Sequence, residues 1–329
     1  MADFPYSLRA RASAHPRRLV FPEGMEPRIH DAVADGISQG LFDAVLVGEP
    51  GAVNEALAER GVPSGRVRVV DPADPETVES AASALRALPR DRSDREVELL
   101  SRDPLVQGAL MVRAGDVDGS VAGSVRTTAE VVRAALTGVG LAPGVQTLSS
   151  SFYMAFGPDH PGDAEVLIFT DAGVVPDPTP EQLAEIAVAA AGARERVVGD
   201  EARVAFLSYS TKGSAEGVSV DKVRAALEIF RALRPDVPAD GELQGDAALI
   251  PSVAARKSPN SQAAGRANVL VFPDLDAANI AYKLVQALAG AHAFGPVLQG
   301  LARPCNDLSR GATAADVAAV ACITALMAP

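Results

Sequence analysis

The chain has 329 residues, 48% of them hydrophobic, with 30 basic and 42 acidic residues and a net charge of −12. That length suits two domains of ordinary size, and the apolar content is enough for sizeable cores. The acidic balance excludes a general nucleic-acid binder, which needs a basic face; small anionic ligands remain open, because a few arginines in a cleft reverse the local field.

No apolar run approaches the roughly 20 residues that a membrane span needs. The opening "MADFPYSLRARASAHPRR" has no apolar signal core, so export is not expected. Two cysteines make no disulfide framework, and a cytoplasmic location fits. Scattered histidines and cysteines show no metal-ligand spacing.

In chain order, "RRLVFP", "DAVLVG" and "VRVV" read as short strands. The charged run "LPRDRSDREVE" reads as a solvated helix face or loop. The stretch 137–146, "TGVGLAPGVQ", is the best linker between domains. "EVLIFTD", "ARVAFLS" and "NVLVFP" read as buried strands. Helices separate them. One begins at "TPEQLAEIAVAAA", where Thr179 caps, Pro180 fits the first turn and Gln182 completes a capping box. "DKVRAALEIFRAL" is another, and "DAANIAYKLVQALAG" a third, with Asp276 as its cap and Gly290 as its stop. A C-terminal helix shows Val317, Val320, Ile323 and Leu326 on one apolar face. Alternating strands and helices predict an α/β fold with a largely parallel sheet.

Polar, glycine-bearing loops follow several strands, where ligands sit in open α/β sheets. They include "LSYSTKGSAEG", "DGELQGDAAL" and "ARKSPNSQAAGRAN". Small hydroxyls, glycines and single cations suit a phosphate, since backbone N–H groups approach it closely. Neither a P-loop, nor a nicotinamide-binding glycine fingerprint, nor a nucleophile elbow is present. Taken singly, each loop is also explained by turn chemistry.

Their order and spacing carry more. "VFPEGMEPR", "VDGSVAGSVRTTAEVVRAAL", "LSSSFYM", "FTDAGVVPDPTPEQLAEIA", "VAFLSYSTKGSA", "KSPNSQAAGRANVLVFPDLDAANIAYKLVQ" and "GPVLQGLARPCNDLSRGATAADV" together resemble the phosphate acetyl/butyryltransferase family across essentially the whole chain. The resemblance implies two three-layer α/β domains with a cleft between them, of the isocitrate/isopropylmalate dehydrogenase type. The expected division is 1–143 plus 297–329, and 144–296. It implies transfer of an acetyl group between acetyl phosphate and coenzyme A, no cofactor and no metal, and a homodimer without nucleic-acid or membrane partners. It further implies that Ser309 and Arg310 line the site and that Asp316 is the base. Arg133, Arg86, Ser150, Thr128 and Lys257 are the implied substrate contacts. Departures from the family pattern fall at Ala172 (no thiol in "TDA"), Arg126, Ala278 and Ala287.

The chemistry fits the residues. A thiol attacks the carbonyl of an acyl phosphate and phosphate leaves. A free thiol has a pKa of about 8.5, so a base near sulfur helps at neutral pH. Arginine pairs its planar fork with phosphate oxygens. Two roles compete for Asp316: base, or the third position of a capping box begun by Thr313. Cys305 and Cys322 read as structural, with no histidine partner to activate either. Alternatives are the same chemistry on a propanoyl or butyryl group, and an acetyl-CoA-binding regulatory module without turnover.

Overall fold

The computed structural model describes residues 4–157 and 165–329. The first stretch of chain runs α1 (Phe4–Ala14), β1 (Arg17–Phe21), α2 (Pro27–Ser38), β2 (Phe42–Val47), α3 (Pro50–Glu59), β3 (Arg68–Val70), α4 (Pro75–Arg86), α5 (Asp94–Ser101), α6 (Pro104–Ala114), β4 (Gly119–Ala122) and α7 (Thr128–Gly138). The middle stretch runs β5 (Ser149–Ala155), β6 (Val166–Thr170), α8 (Pro180–Val197), β7 (Val204–Leu207), α9 (Val218–Leu233), β8 (Ala239–Leu243), α10 (Gly245–Leu249), α11 (Pro251–Lys257), β9 (Val269–Val271), α12 (Leu275–Ala289) and β10 (His292–Gln299). The chain closes with β11 (Cys305–Asp307) and α13 (Ala314–Met327).

Two compact units result. One joins Pro5–Ala142 to Leu301–Pro329, and Pro143–Gly300 forms the body of the other. The first crossing lies inside the expected linker. The expected return at 297 falls inside β10, which pairs with β5 as far as Gln299 opposite Ser149, so the chain leaves that unit only after Gly300.

The discontinuous unit holds a five-stranded sheet in the order β11-β4-β1-β2-β3, parallel throughout. Leu19, Val20 and Phe21 of β1 are fully buried, as expected for a parallel strand covered on both faces. Pro at the first helical position starts α2, α3, α4 and α6, where its missing N–H costs nothing. α13 packs against α2 and the sheet. It is buried from Val317 to Ala325 on every face, not only along the stripe read from the sequence, and Leu326 is half-buried. Its alanines leave room for neighbours on all sides.

The middle unit holds a six-stranded sheet, β10-β5-β6-β9-β7-β8. Four of its strands run parallel, while β5 is antiparallel to both β6 and β10. α8 starts with the expected capping box of Thr179 and Gln182. Gly290 ends α12 in the left-handed conformation, as expected. The cap of α12 is Asp274, not Asp276. Asp274 Oδ1 accepts from the Ala277 amide at 2.8 Å, and Asp276 sits exposed in the first turn.

Candidate functional site

In the discontinuous unit, β1, β4 and β11 are parallel neighbours, so their C-terminal ends open onto one edge of the sheet. Three loops meet there: Pro22–Glu26 after β1, Gly123–Thr127 after β4, and Leu308–Thr313 after β11.

The first loop organises the others. Glu23 Oε2 accepts from Gly123 N (2.8 Å), Ser124 N (2.8 Å) and Ser124 Oγ (2.6 Å). Its Oε1 accepts from Val125 N (2.9 Å) and Arg126 N (2.7 Å). Arg28, at the start of α2, reaches across both remaining loops. Its Nη1 donates to Arg310 O and Ala312 O at 2.9 Å each, and its Nη2 to Ser124 O at 2.9 Å. Its Nε donates to Glu26 Oε1 at 2.7 Å, which holds the Glu26 carboxyl below the usual range. Neither Glu23 nor Arg28 stood among the sequence-derived site residues, although both lie in the quoted segment "VFPEGMEPR". Their position just past the end of a buried strand was the available signal.

Ser309 and Arg310 are exposed in the loop after β11. Ser309 O accepts from Ala312 N at 2.8 Å, closing a turn that presents the Arg310 side chain outward. Gly311 has no atom of the protein crowding it, apart from Ser309 Oγ at 3.8 Å from where a Cβ would stand. The fold itself therefore does not demand glycine there. Asp316 is half-buried in the first turn of α13. Its Oδ2 accepts from Thr313 N and Thr313 Oγ1, both at 2.8 Å, and its own amide donates to Thr313 Oγ1 at 3.2 Å. The capping box is formed, and it engages one carboxylate oxygen.

Thr128 opens α7 and is half-buried. Its hydroxyl donates to Asp307 Oδ2 at 2.6 Å. Asp307 closes β11, is fully buried, and its Oδ1 makes no hydrogen bond of ordinary geometry. Burial pushes this carboxyl up to about 7; the Thr128 hydroxyl and the nearby Leu308 amide favour the charged form, and the charge of Glu23 disfavours it. Gly123, at φ +102, lies over this oxygen, and a Cβ there would collide with it. Asp307 was not singled out from the sequence, because nothing local in "CND" separates it from a strand end.

The remaining substrate candidates of this unit lie apart in their contacts. Arg133 is exposed on α7. Arg86, the last residue of α4, pairs with Glu79 of its own helix at 3.6 Å. Arg126, the departure before the threonine pair, bonds Glu130 (2.9 Å) and Asp103 (3.3 Å).

Ser150 and Lys257 belong to the middle unit. Ser150 is fully buried, and its amide (3.0 Å) and hydroxyl (2.7 Å) both donate to Asp171 Oδ1. Asp171 also takes the Gly173 and Val175 amides, yet burial still pushes its carboxyl up. Lys257 donates to Gln244 Oε1 (2.8 Å) and Asp246 Oδ2 (3.0 Å). It lines a pocket of about 690 Å³ with Lys212, Arg231, Arg234 and Ser261. Those cations all face carboxylates: Lys212 and Arg231 meet Asp240, and Arg234 meets Asp236 and Glu195. Ala172 and Ala278 are fully buried in one apolar cluster, where small residues pack the start of α12 against β6's loop, and Ala287 is exposed.

Residues 3–325 match the family described as Phosphate acetyl/butaryl transferase. A phosphate acetyltransferase of Thermoanaerobacterium thermosaccharolyticum is 42% identical over 325 residues, covering 98% of each chain. The crystal structure of a phosphotransacetylase from Streptococcus pyogenes superposes with a TM-score of 0.88 at 37% identity, over 98% of this chain and 97% of that one. A 4-hydroxythreonine-4-phosphate dehydrogenase structure from Salmonella typhimurium shares the fold alone, at TM-score 0.53 and 14% identity over 95% of this chain and 100% of that one.

The two thiols are 3% and 0% exposed, and burial pushes both up to about 12. Iodoacetamide at neutral pH should therefore leave activity intact, and Cys305→Ala should retain the chemical step. Rapid stoichiometric alkylation with loss of activity in the folded protein would contradict this.

Proposed function

The chain belongs to the Phosphate acetyl/butaryl transferase family, and we infer from that membership that it is an acyltransferase moving an acetyl group reversibly between acetyl phosphate and coenzyme A. The observation that carries the reading is identity of 42% across 98% of both chains to a relative named phosphate acetyltransferase. The exposed "SRG" turn, fixed from behind by Arg28, supports it.

The thiol attacks the acetyl carbonyl while both substrates are held together, which supplies much of the acceleration. Arg310 neutralises the phosphate, and Ser309 donates to the carbonyl or phosphate oxygen as charge develops. Asp316 takes the thiol proton. Its cap occupies Oδ2, so the base role falls to Oδ1, and the cap fixes the carboxylate's direction. Arg133, Arg86, Thr128, Ser150 and Lys257 are the substrate contacts proposed by family resemblance. Ser150 acts through the loop it holds with Asp171, because its hydroxyl is already engaged. The reaction as proposed needs these side chains and the two substrates alone, and the setting proposed is the cytoplasm. Among the described residues no helix is long and apolar enough to cross a membrane.

A second copy of the chain is the proposed partner. Ile280, Leu284 and Leu288 recur every fourth residue along α12 and are 57%, 51% and 83% exposed. Such a stripe is costly to leave in water. Sedimentation equilibrium should give a dimer, and Leu284→Lys should shift it toward monomer; a monomeric wild type would overturn the assignment.

Thioester formation from acetyl, propanoyl and butyryl phosphates tests the activity. Acetyl phosphate should turn over fastest. Binding of coenzyme A without turnover of any of them would sink the enzyme reading.

Asp316→Asn separates the base from the cap. General base catalysis contributes about 10²–10⁴-fold, whereas a lost cap costs about 1 kcal/mol of stability. Asn keeps much of the cap. The variant should melt near the wild-type temperature yet lose most turnover of free thiol, with the loss shrinking toward pH 9 as thiolate forms unaided. Arg310→Ala should be slow at every pH. Normal turnover with early melting in Asp316→Asn would assign the residue to capping alone.

A further inference from the structure

We propose that Asp307 is a positioning residue that switches the Thr128 hydroxyl between an inward and an outward hydrogen bond, so that phosphate binds with uptake of one proton. The inference deepens the acetyl-transfer reading and rests on phosphate being held at this edge of the unit.

Thr128 Oγ1 and Asp307 Oδ2 are 2.6 Å apart, and only one hydrogen fits between them. If Asp307 is ionised, that hydrogen is the threonine's own, and Thr128 has no donor left for a ligand. If Asp307 is protonated on Oδ2, the carboxyl donates to Thr128 Oγ1 instead. The threonine hydrogen is then released and can turn toward the surface, where Thr128 is half-buried at the first turn of α7. The helix N-terminus there favours an anion.

The surroundings favour the protonated form. Asp307 is 0% exposed, and its Oδ1 makes no hydrogen bond of ordinary geometry, the nearby Leu308 amide being a weak donor. An unpartnered carbonyl oxygen costs far less in the interior than an unpartnered carboxylate oxygen. The charged groups on elements packed against β11 are Glu130 and Arg133 of α7 and Asp316 of α13, with Glu23 at the end of β1. Glu130 is turned to Thr127 and Arg126, and Asp316 to Thr313. Glu23 is the neighbour whose charge reaches Asp307, and it acts against ionisation. Burial, aided by Glu23 and opposed by the Thr128 hydroxyl and the Leu308 amide, leaves the carboxyl at about 7, where small changes of pH move its proton. An arriving phosphate adds negative charge beside it and pulls the proton on, by the same linkage that makes protonation favour phosphate.

The sign follows. The raised carboxyl is protonated below about pH 7, so phosphate binds tightest there and loses affinity as pH rises through that value. One hydrogen bond to a charged oxygen sets the ceiling of the effect, about 10- to 100-fold.

Asp307→Asn tests this with an unusual expected direction. An asparagine can donate its amide to Thr128 Oγ1 at every pH, which imitates the protonated carboxyl. KM for phosphate in acetyl-CoA breakdown should be similar in wild type and variant at pH 6. At pH 8.5 the wild-type KM should exceed the variant's by about 10- to 100-fold. Taking the ratio cancels the titration of phosphate itself. Thr128→Val should bind phosphate weakly at pH 6 already and lose the pH dependence, and Thr128→Ser should recover both relative to Val. Calorimetric titration with inorganic phosphate in two buffers of different ionisation heat should show extra proton uptake near pH 7.5 in the wild type and none in Asp307→Asn. A ratio that stays flat from pH 6 to 8.5, or equal proton uptake in both proteins, overturns the proposal. If Asp307→Asn does not fold, wild-type pH dependence persisting in Thr128→Val overturns it instead. Absence of thioester formation from acetyl phosphate in the wild type would remove the acetyl-transfer reading, while the calorimetric difference would still decide the switch.

Discussion

Glu23 holds one end of the discontinuous unit together, because a single carboxylate there accepts five donors from four consecutive residues, Gly123 to Arg126. Each hydrogen bond to a charged group contributes about 1.5–3 kcal/mol, and removing such an acceptor strands the donors it served. The loop after β4 curls around this charge much as a backbone nest curls around an anion. Thr127 and Thr128, and with them the start of α7, are placed by that curl. Arg28 ties the same loop to the turn after β11 through three carbonyl oxygens. A fixed guanidinium can hold several acceptors at once because its donors are planar and rigid. The exposed Arg310 therefore stands on a turn whose backbone is fastened from below.

Local chemistry was readable in advance, and distant chemistry was not. The boxes at Thr179–Gln182 and Thr313–Asp316 depend on residues three apart, so the pattern carries the structure. The buried strands announced themselves as short apolar runs. Asp274 displaced Asp276 as the cap of α12 because the two acids stand within one turn, and the chain can start a helix after either. The antiparallel β10 and β5 escaped notice because "LSSSFYM" and "HAFGPVLQ" lack the alternation that marks a half-exposed strand; β5 is buried throughout. Glu23 meets its donors about 100 residues away, and Arg28 meets Arg310 at a separation of 282. No spacing rule reaches that far. What placed Ser309, Arg310 and Asp316 in one loop and helix start was the family resemblance, and what placed Arg28 beneath them was the fold.

The acidic character of the chain also finds a use inside it. Glu242 of the middle unit accepts from Ser210 Oγ, Gly213 N and two nitrogens of Arg224, and although burial alone would raise it, these partners draw its carboxyl down to about 2. Asp171 takes three amides and a hydroxyl. Glu23 takes five donors. In each case a loop is built around the carboxylate, and its donors offset the loss of water.

Asp307 breaks that pattern within the same kind of position. It ends a buried strand, it lies beneath a glycine loop, and it is as buried as Glu242 and Asp171 and more buried than Glu23, yet a single hydroxyl is its one well-formed partner. A structural anion so poorly served is costly, and the loop that passes over it spends its amides elsewhere. Gly123 and Ser124 give theirs to Glu23 instead. With those donors committed to Glu23, burial favours the protonated form of Asp307. The division of donors between two adjacent carboxylates thus leaves a group that gains and loses its proton near neutrality, joined by one hydrogen bond to a hydroxyl at the head of α7.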